Sequence, residues 1–158
     1  MRQANGIQFH SLAVEPVEHI AWNMREWDRR EIFATRNDNN PHTLAQECVS
    51  YSAFGFWLPD RSGAPCAAFG AIQIWPGVLS VWCFGTDNFH HAGKTLTKHL
   101  KRTIIPTFKK AVHRAQCFSI DGHVEAQRWL ETLGAEREAT LHDFGRERET
   151  FHLYAWRT

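Results

Sequence analysis

Two turn compositions cut the middle of this chain into three apolar runs of strand length, and that spacing constrains the fold more than any other feature. Pro59-Asp60-Arg61-Ser62-Gly63 separates residues 54–58 from 66–74, and Pro76-Gly77 separates 66–74 from 78–84. Pro presets φ near the turn value and Gly tolerates positive φ, so both stretches read as tight reversals. Reversals this short join strands that lie side by side and antiparallel. The segment 54–84 is therefore predicted to be an antiparallel meander.

Beyond the meander the period changes. Residues 85–92 lead into a long basic helix from about Gly93 to Arg114, in which Pro106 should kink the axis or split it. Residues 116–120 read as a buried strand broken by Asp121-Gly122. An amphipathic helix over 124–133 stops at Gly134, and two closing strands, 139–144 and 150–156, flank a turn near Gly145-Arg146.

Ahead of the meander, 7–12 reads as a short strand, and Glu15-Pro16 opens a helix whose apolar residues Val17, Ile20, Ala21, Met24, Trp27 and Ile32 keep helical spacing. Residues 37–41 are a polar break before a shorter helix over 43–53. With 43% hydrophobic and 22% charged residues and no repeat, the 158 residues read as one domain, 1–158. The expected fold class is α/β (α+β): a mixed, mostly antiparallel sheet of six to seven strands flanked by about four helices.

A net charge of +1 excludes a strongly basic nucleic-acid binder, and no basic, aromatic-interleaved RNA motif is present. Charge is instead local. No acidic residue lies between Asp87 and Asp121, whereas Lys94, Lys98, Lys101, Arg102, Lys109, Lys110 and Arg114 all do, a field that attracts phosphates. The four cysteines lack zinc or redox spacing and read as reduced thiols. His90-His91 lacks a second ligand pair, so no metal is expected. No signal peptide and no apolar run long enough to cross a membrane are present, which points to a cytoplasmic protein without a membrane partner.

Two stretches carry a family resemblance. His90-His91-Ala92-Gly93-Lys94-Thr95 comes after the third meander strand and opens a helix. His123-Val124-Glu125-Ala126-Gln127-Arg128-Trp129-Leu130-Glu131-Thr132-Leu133-Gly134 keeps an Ala and a Leu-Gly ending. Together with the element order, these resemble the GNAT acyltransferase superfamily. There a strand runs into Arg or Gln, two residues, Gly, one residue, and Gly or Ala, and a late helix reads Asn, two residues, Ala, three residues, Tyr. His90 stands where Arg or Gln is usual, His123 where Asn is, and Leu130 where Tyr is. The chain is also similar to small GNAT-like proteins of short-tailed bacteriophages, a likeness that implies the host cytoplasm and a host protein partner.

The resemblance implies acetyl-CoA, or coenzyme A itself, as ligand. Amides of His91, Ala92, Gly93, Lys94 and Thr95 would hold the pyrophosphate, since a helix start offers unpaired N–H groups and partial positive charge. Lys98 would reach a phosphate, and the strand bearing Trp82, Cys83 and Phe84 would pair its backbone with the pantetheine amides. Acyl transfer needs a base for the acceptor amine, and the candidates are Asp87, His90 and His123. Leu130 removes the usual acid, and Tyr154 on the final strand is a candidate substitute. The expected activity is N-acyl transfer to an amine of a small molecule or a host protein. The alternative is a catalytically degenerate protein of the same fold that binds coenzyme A or a protein partner through exposed Trp22, Trp27 or Trp57. The protein is expected to be a monomer or a dimer.

Overall fold

The computed structural model describes residues 6–158. Its elements run β1 (His10–Ser11), α1 (Val14–Trp22), α2 (Glu26–Ala34), α3 (Pro41–Tyr51), β2 (Ser52–Pro59), β3 (Pro65–Trp75), β4 (Val78–Gly85), a 3₁₀ turn (Phe89–His91) and α4 (Gly93–His99). A π-helical turn (Leu100–Ile104) then leads to α5 (Ile105–Ala111), β5 (Arg114–Ile120), α6 (Val124–Thr132), β6 (Glu136–Leu141) and β7 (Phe151–Arg157). One open seven-stranded sheet has the order β1-β2-β3-β4-β5-β7-β6. Every pairing is antiparallel except β4 with β5. This is the mixed, mostly antiparallel sheet that the sequence predicts.

The meander forms because its turns enforce it. Gly77 adopts φ +88, a left-handed value that side-chain-bearing residues rarely take. Gly70 in β3 admits the Trp82 ring against its backbone, where a Cβ would lie 2.4 Å from the indole. That indole donates from Nε1 to Ser52 Oγ at 2.9 Å, locking Trp82 across the sheet.

Four sequence expectations need adjustment. The first strand is only two residues long, not six. The first helix is really two, α1 and α2, because Met24 bridges Thr86 and the Arg25 amide donates to Gly85 O at 2.9 Å, so β4 claims the backbone at the joint. The basic helix passes through the π turn just before Pro106 and stops at Ala111, so Arg114 belongs to β5. Pro has no N–H to donate, and the wider π turn absorbs that missing bond. In the last hairpin Phe144 lies in the connecting loop, where Asp143 and Arg148 take positive φ.

Alternation along β4 sends side chains to two layers. Leu79 and Val81 join the core beneath α4 and α6, whereas Phe84 joins the layer with α1 and α3. Phe84 is fully buried there. Replacing it with Ala should cost about 3–5 kcal/mol, read from the denaturant midpoint. A loss below about 1 kcal/mol would contradict this packing.

Candidate active site

The site originates where the parallel pair comes apart. β4 and β5 pair only from Val78–Arg114 to Ser80–Gln116. Beyond that point they diverge, and by alternation the backbone groups of Val81 and Cys83 face the gap. Amides at the ends of both strands then need other acceptors, and α2 supplies them. Asp28 Oδ2 accepts from Gly85 N at 2.9 Å, and Glu31 Oε1 accepts from Ile120 N at 2.8 Å. One turn of α2 thus bridges the splay with two carboxylates.

Between them sits His123, at the start of α6. Its Nε2 is 3.6 Å from Asp28 Oδ1 and its Nδ1 is 3.4 Å from Glu31 Oε2. The three side chains are 7%, 3% and 13% exposed for His123, Asp28 and Glu31. His123 Nδ1 is buried without a hydrogen-bond partner among the described residues. Trp27 stacks on the imidazole, with ring centroids 5.7 Å apart and planes at 11°. Arg25 binds Asp28 Oδ2 through Nε and Nη2, at 3.0 and 2.8 Å, and lies 4.2 Å over the Phe89 ring.

Burial pushes the Asp28 carboxyl above its usual range, against the opposing pull of Arg25, the Gly85 amide and His123. The three groups bring one ligand atom each within 4.8 Å of one another, a set that a divalent cation accepts. However, a backbone amide occupies one oxygen of each carboxylate, and the two imidazole nitrogens face different acids. That arrangement suits a proton moved along the row better than a metal ion held at its centre.

The other end of the site is the start of α4. The His91 and Ala92 amides are used within the 3₁₀ turn, donating to Asn88 O and Phe89 O at 2.9 Å each. Leu96 N makes the first helical bond, to Ala92 O, which leaves the Gly93, Lys94 and Thr95 amides without an acceptor among the described residues. A Cβ on Gly93 would meet only the Phe89 ring, at 3.7 Å, so the protein leaves this position open. From Gly93 a cleft of about 910 Å³ runs to the carboxylates, with Lys94, Lys98, Lys101 and Arg102 along one wall. Trp129 Nε1 donates to Thr97 Oγ1 at 2.8 Å and ties α6 to α4.

The residues singled out in the sequence fall into separate places. His123 joins the buried cluster, and Gly93, Lys94, Lys98 and Cys83 line the cleft. Asp87 and His90 are exposed at its rim, joined by His90 Nδ1 to Asp87 O at 3.0 Å. His91 turns away, its Nδ1 accepting from Arg61 N at 3.2 Å. Thr95 is half-buried outside the cleft lining. Trp82 and Phe84 side chains lie in the opposite layer, and by alternation their backbone groups face β3, so neither residue offers a group to the cleft. Burial pushes the Cys83 thiol up to about 12, which keeps it protonated rather than nucleophilic. Tyr154 does not reach the site; it is fully buried and its oxygen accepts from Arg137 at 2.8 and 3.0 Å.

Sequence reasoning misses Arg25, Asp28 and Glu31. A signal for the acids is nonetheless there: Met24, Asp28 and Glu31 fall at i, i+4 and i+7, placing two acids on an inward stripe.

No family model matches the sequence, and no curated protein matches it. Solved structures are similar in fold. An acetyltransferase of the GNAT family from Bacillus anthracis superposes with a TM-score of 0.65 at 12% identity, covering 98% of this chain and 96% of that one. The ribosomal-protein-S18-alanine N-acetyltransferase of Escherichia coli gives 0.67 at 16%, with 96% and 93% covered. A spermidine N-acetyltransferase variant from Vibrio cholerae gives 0.66 at 12%, with 98% and 95% covered. The fold is the GNAT fold. No described helix is long and apolar enough to cross a membrane.

The raised carboxyl of Asp28 has a consequence for stability. Its folded form holds a proton above the unfolded range, so its favourable contribution is complete below the ordinary carboxylate value and is lost as pH rises through the raised one. Melting temperatures of the native chain and Asp28→Asn, followed upward from about pH 4, should show the native chain losing ground to the variant. A constant difference would show that burial does not govern this carboxyl.

Proposed function

We propose that the chain is a single-domain acyl-CoA-dependent N-acyltransferase. The observation that supports it best is one cleft joining an open, basic helix start to a buried row of Asp28, His123 and Glu31. Unpaired amides of Gly93, Lys94 and Thr95 take the pyrophosphate, and Lys98 and Lys101 take further phosphate charge. The pantetheine amides pair with the free edge of β4 at Val81 and Cys83. The thioester carbonyl then lies near His123.

An acceptor amine that has shed its ammonium proton attacks that carbonyl. The new C–N bond forms, and His123 takes the remaining N–H proton while Glu31 steadies the resulting imidazolium. The Cys83 backbone N–H faces the developing oxyanion. The C–S bond breaks, and His123 returns the proton to the departing thiolate, so no Tyr is required at position 130. Asp28 and Arg25 hold the row in place. Asp87 and His90, at the rim, contact the acceptor or the phosphates rather than the reacting bond.

A second reading is favoured by exposed aromatics. Trp22 and Trp27 are 65% and 39% exposed beside a groove of about 1230 Å³ that also includes Arg146 and Glu149. On that reading the coenzyme site is kept and a protein, such as a host protein in a bacteriophage setting, docks at the two tryptophans.

Gly93→Glu should leave the melting temperature unchanged, because its Cβ fits. It should weaken acetyl-CoA binding by about 100-fold in calorimetry, because a carboxylate meets the pyrophosphate. Unchanged affinity would remove the phosphate assignment. Glu31→Gln keeps an acceptor for Ile120 N. It should lower amine-dependent thiol release by roughly 10²–10⁴-fold while acetyl-CoA affinity holds. Normal turnover in that variant would exclude the His123 row as the proton path, whereas a native chain that binds acetyl-CoA but shows no amine-dependent thiol release would favour the docking reading.

A further inference from the structure

Beneath the splay, on the layer of α4 to α6, lies a second space of about 200 Å³. Val81 and Cys83 of β4, Ala115 and Cys117 of β5, and Leu100 and Ile104 of the π turn line it. Protein interiors are close-packed and rarely keep voids larger than a water molecule. This one exists because two neighbouring parallel strands separate while the helices above them do not collapse into the gap. The π turn contributes to that: its extra residue per turn disturbs the regular helical spacing where Leu100 and Ile104 face the sheet.

The space adjoins the phosphate cleft. Glu31, Cys83, Ala126 and Trp129 line both, so the junction falls beside the His123 row. A thioester seated with its phosphates at Gly93 and its carbonyl at that row has its acyl group at the mouth of the cavity. An acetyl group ends at the mouth. The walls offer little to a polar guest. Burial raises both Cys83 and Cys117 thiols, keeping them neutral, and Arg114 is engaged by Glu138 near the paired start of β5. The pantetheine arm carries amides that need partners, and the free β4 edge provides them; an alkyl chain needs none.

We propose that this cavity receives the alkyl chain of a medium-chain acyl-CoA, roughly four to eight carbons for a space holding several water-sized units. This inference rests on the transferase reading and names the acyl donor class for it.

Calorimetry with coenzyme A and its acetyl, butanoyl, hexanoyl and octanoyl thioesters tests it. Affinity should tighten roughly fourfold per added methylene until the cavity fills. Cys117→Phe, which fills the cavity from β5, should abolish that gain while free coenzyme A binds within about twofold of the native chain. Phe108→Ala, which enlarges it from α5, should move the preferred chain roughly two carbons longer. If coenzyme A and acetyl-CoA bind but longer chains bind no more tightly, the cavity assignment falls and the transferase reading stands. If coenzyme A itself fails to bind, both fall. Should Cys117→Phe not fold, the Phe108→Ala preference decides, and an unmoved optimum overturns the proposal.

Discussion

Two hydrogen bonds from strand ends to carboxylates of α2 set the geometry on which the site depends. When β4 and β5 cease to pair, the amides of Gly85 and Ile120 lose their natural acceptors, and burying them unpaired would cost about 1–3 kcal/mol each. Asp28 and Glu31 accept them. Because the two acids are three residues apart on one helix, the separation of the strand ends is fixed by helix geometry, with Cβ atoms about 5–6 Å apart. The opening is therefore a defined width rather than a frayed sheet, and the residues that hold it open are the ones that line it.

Holding acids in that position has its own electrostatic cost, since buried carboxylates favour the charged form only when partnered. Arg25 meets Asp28 in a two-nitrogen contact and is itself covered by Phe89. Among the described residues Glu31 has no such cation; its free oxygen faces His123. Trp27 stacks on the imidazole. The break between α1 and α2 makes this possible, because Met24 and Arg25 join the end of β4 and turn α2 across the splay. A continuous helix through residues 23–25 would lose those contacts with the end of β4.

Local chemistry made much of the fold legible. Pro and Gly at 59–63 and 76–77 fixed the meander, and Gly134 ended α6 at φ +92. The helix break escaped detection because the apolar phase of Val17, Ile20 and Met24 runs on smoothly, and only a tertiary pairing interrupts it. Asn40 reads as part of a polar break, although its side chain accepts from the His42 and Thr43 amides and starts α3 at Pro41. At the site, His123 was visible as one of ten histidines. What distinguishes it is burial between Asp28 and Glu31, acids from a distant part of the chain, and no local pattern carries that. The strand alternation of Trp82, Cys83 and Phe84 was likewise legible, but which face meets the cleft depended on where α1 and α4 packed.

The departures from the GNAT pattern then acquire a common physical reading. Position 130 holds a half-buried Leu, and Tyr154 is engaged by Arg137, so neither offers a hydroxyl to the cleft. On the proposed transferase reading, proton transfer falls where the family pattern has Asn, at His123, and α2 places Asp28 and Glu31 beside the imidazole. The cleft is consequently polarised along its length: lysines and an arginine near Gly93, carboxylates at the splay. A ligand with phosphates at one end and a neutral thioester at the other fits that gradient in only one orientation. On the proposed reading, the reversed orientation would take the phosphates away from those cations and into the buried row of carboxyl groups, which favours the first orientation.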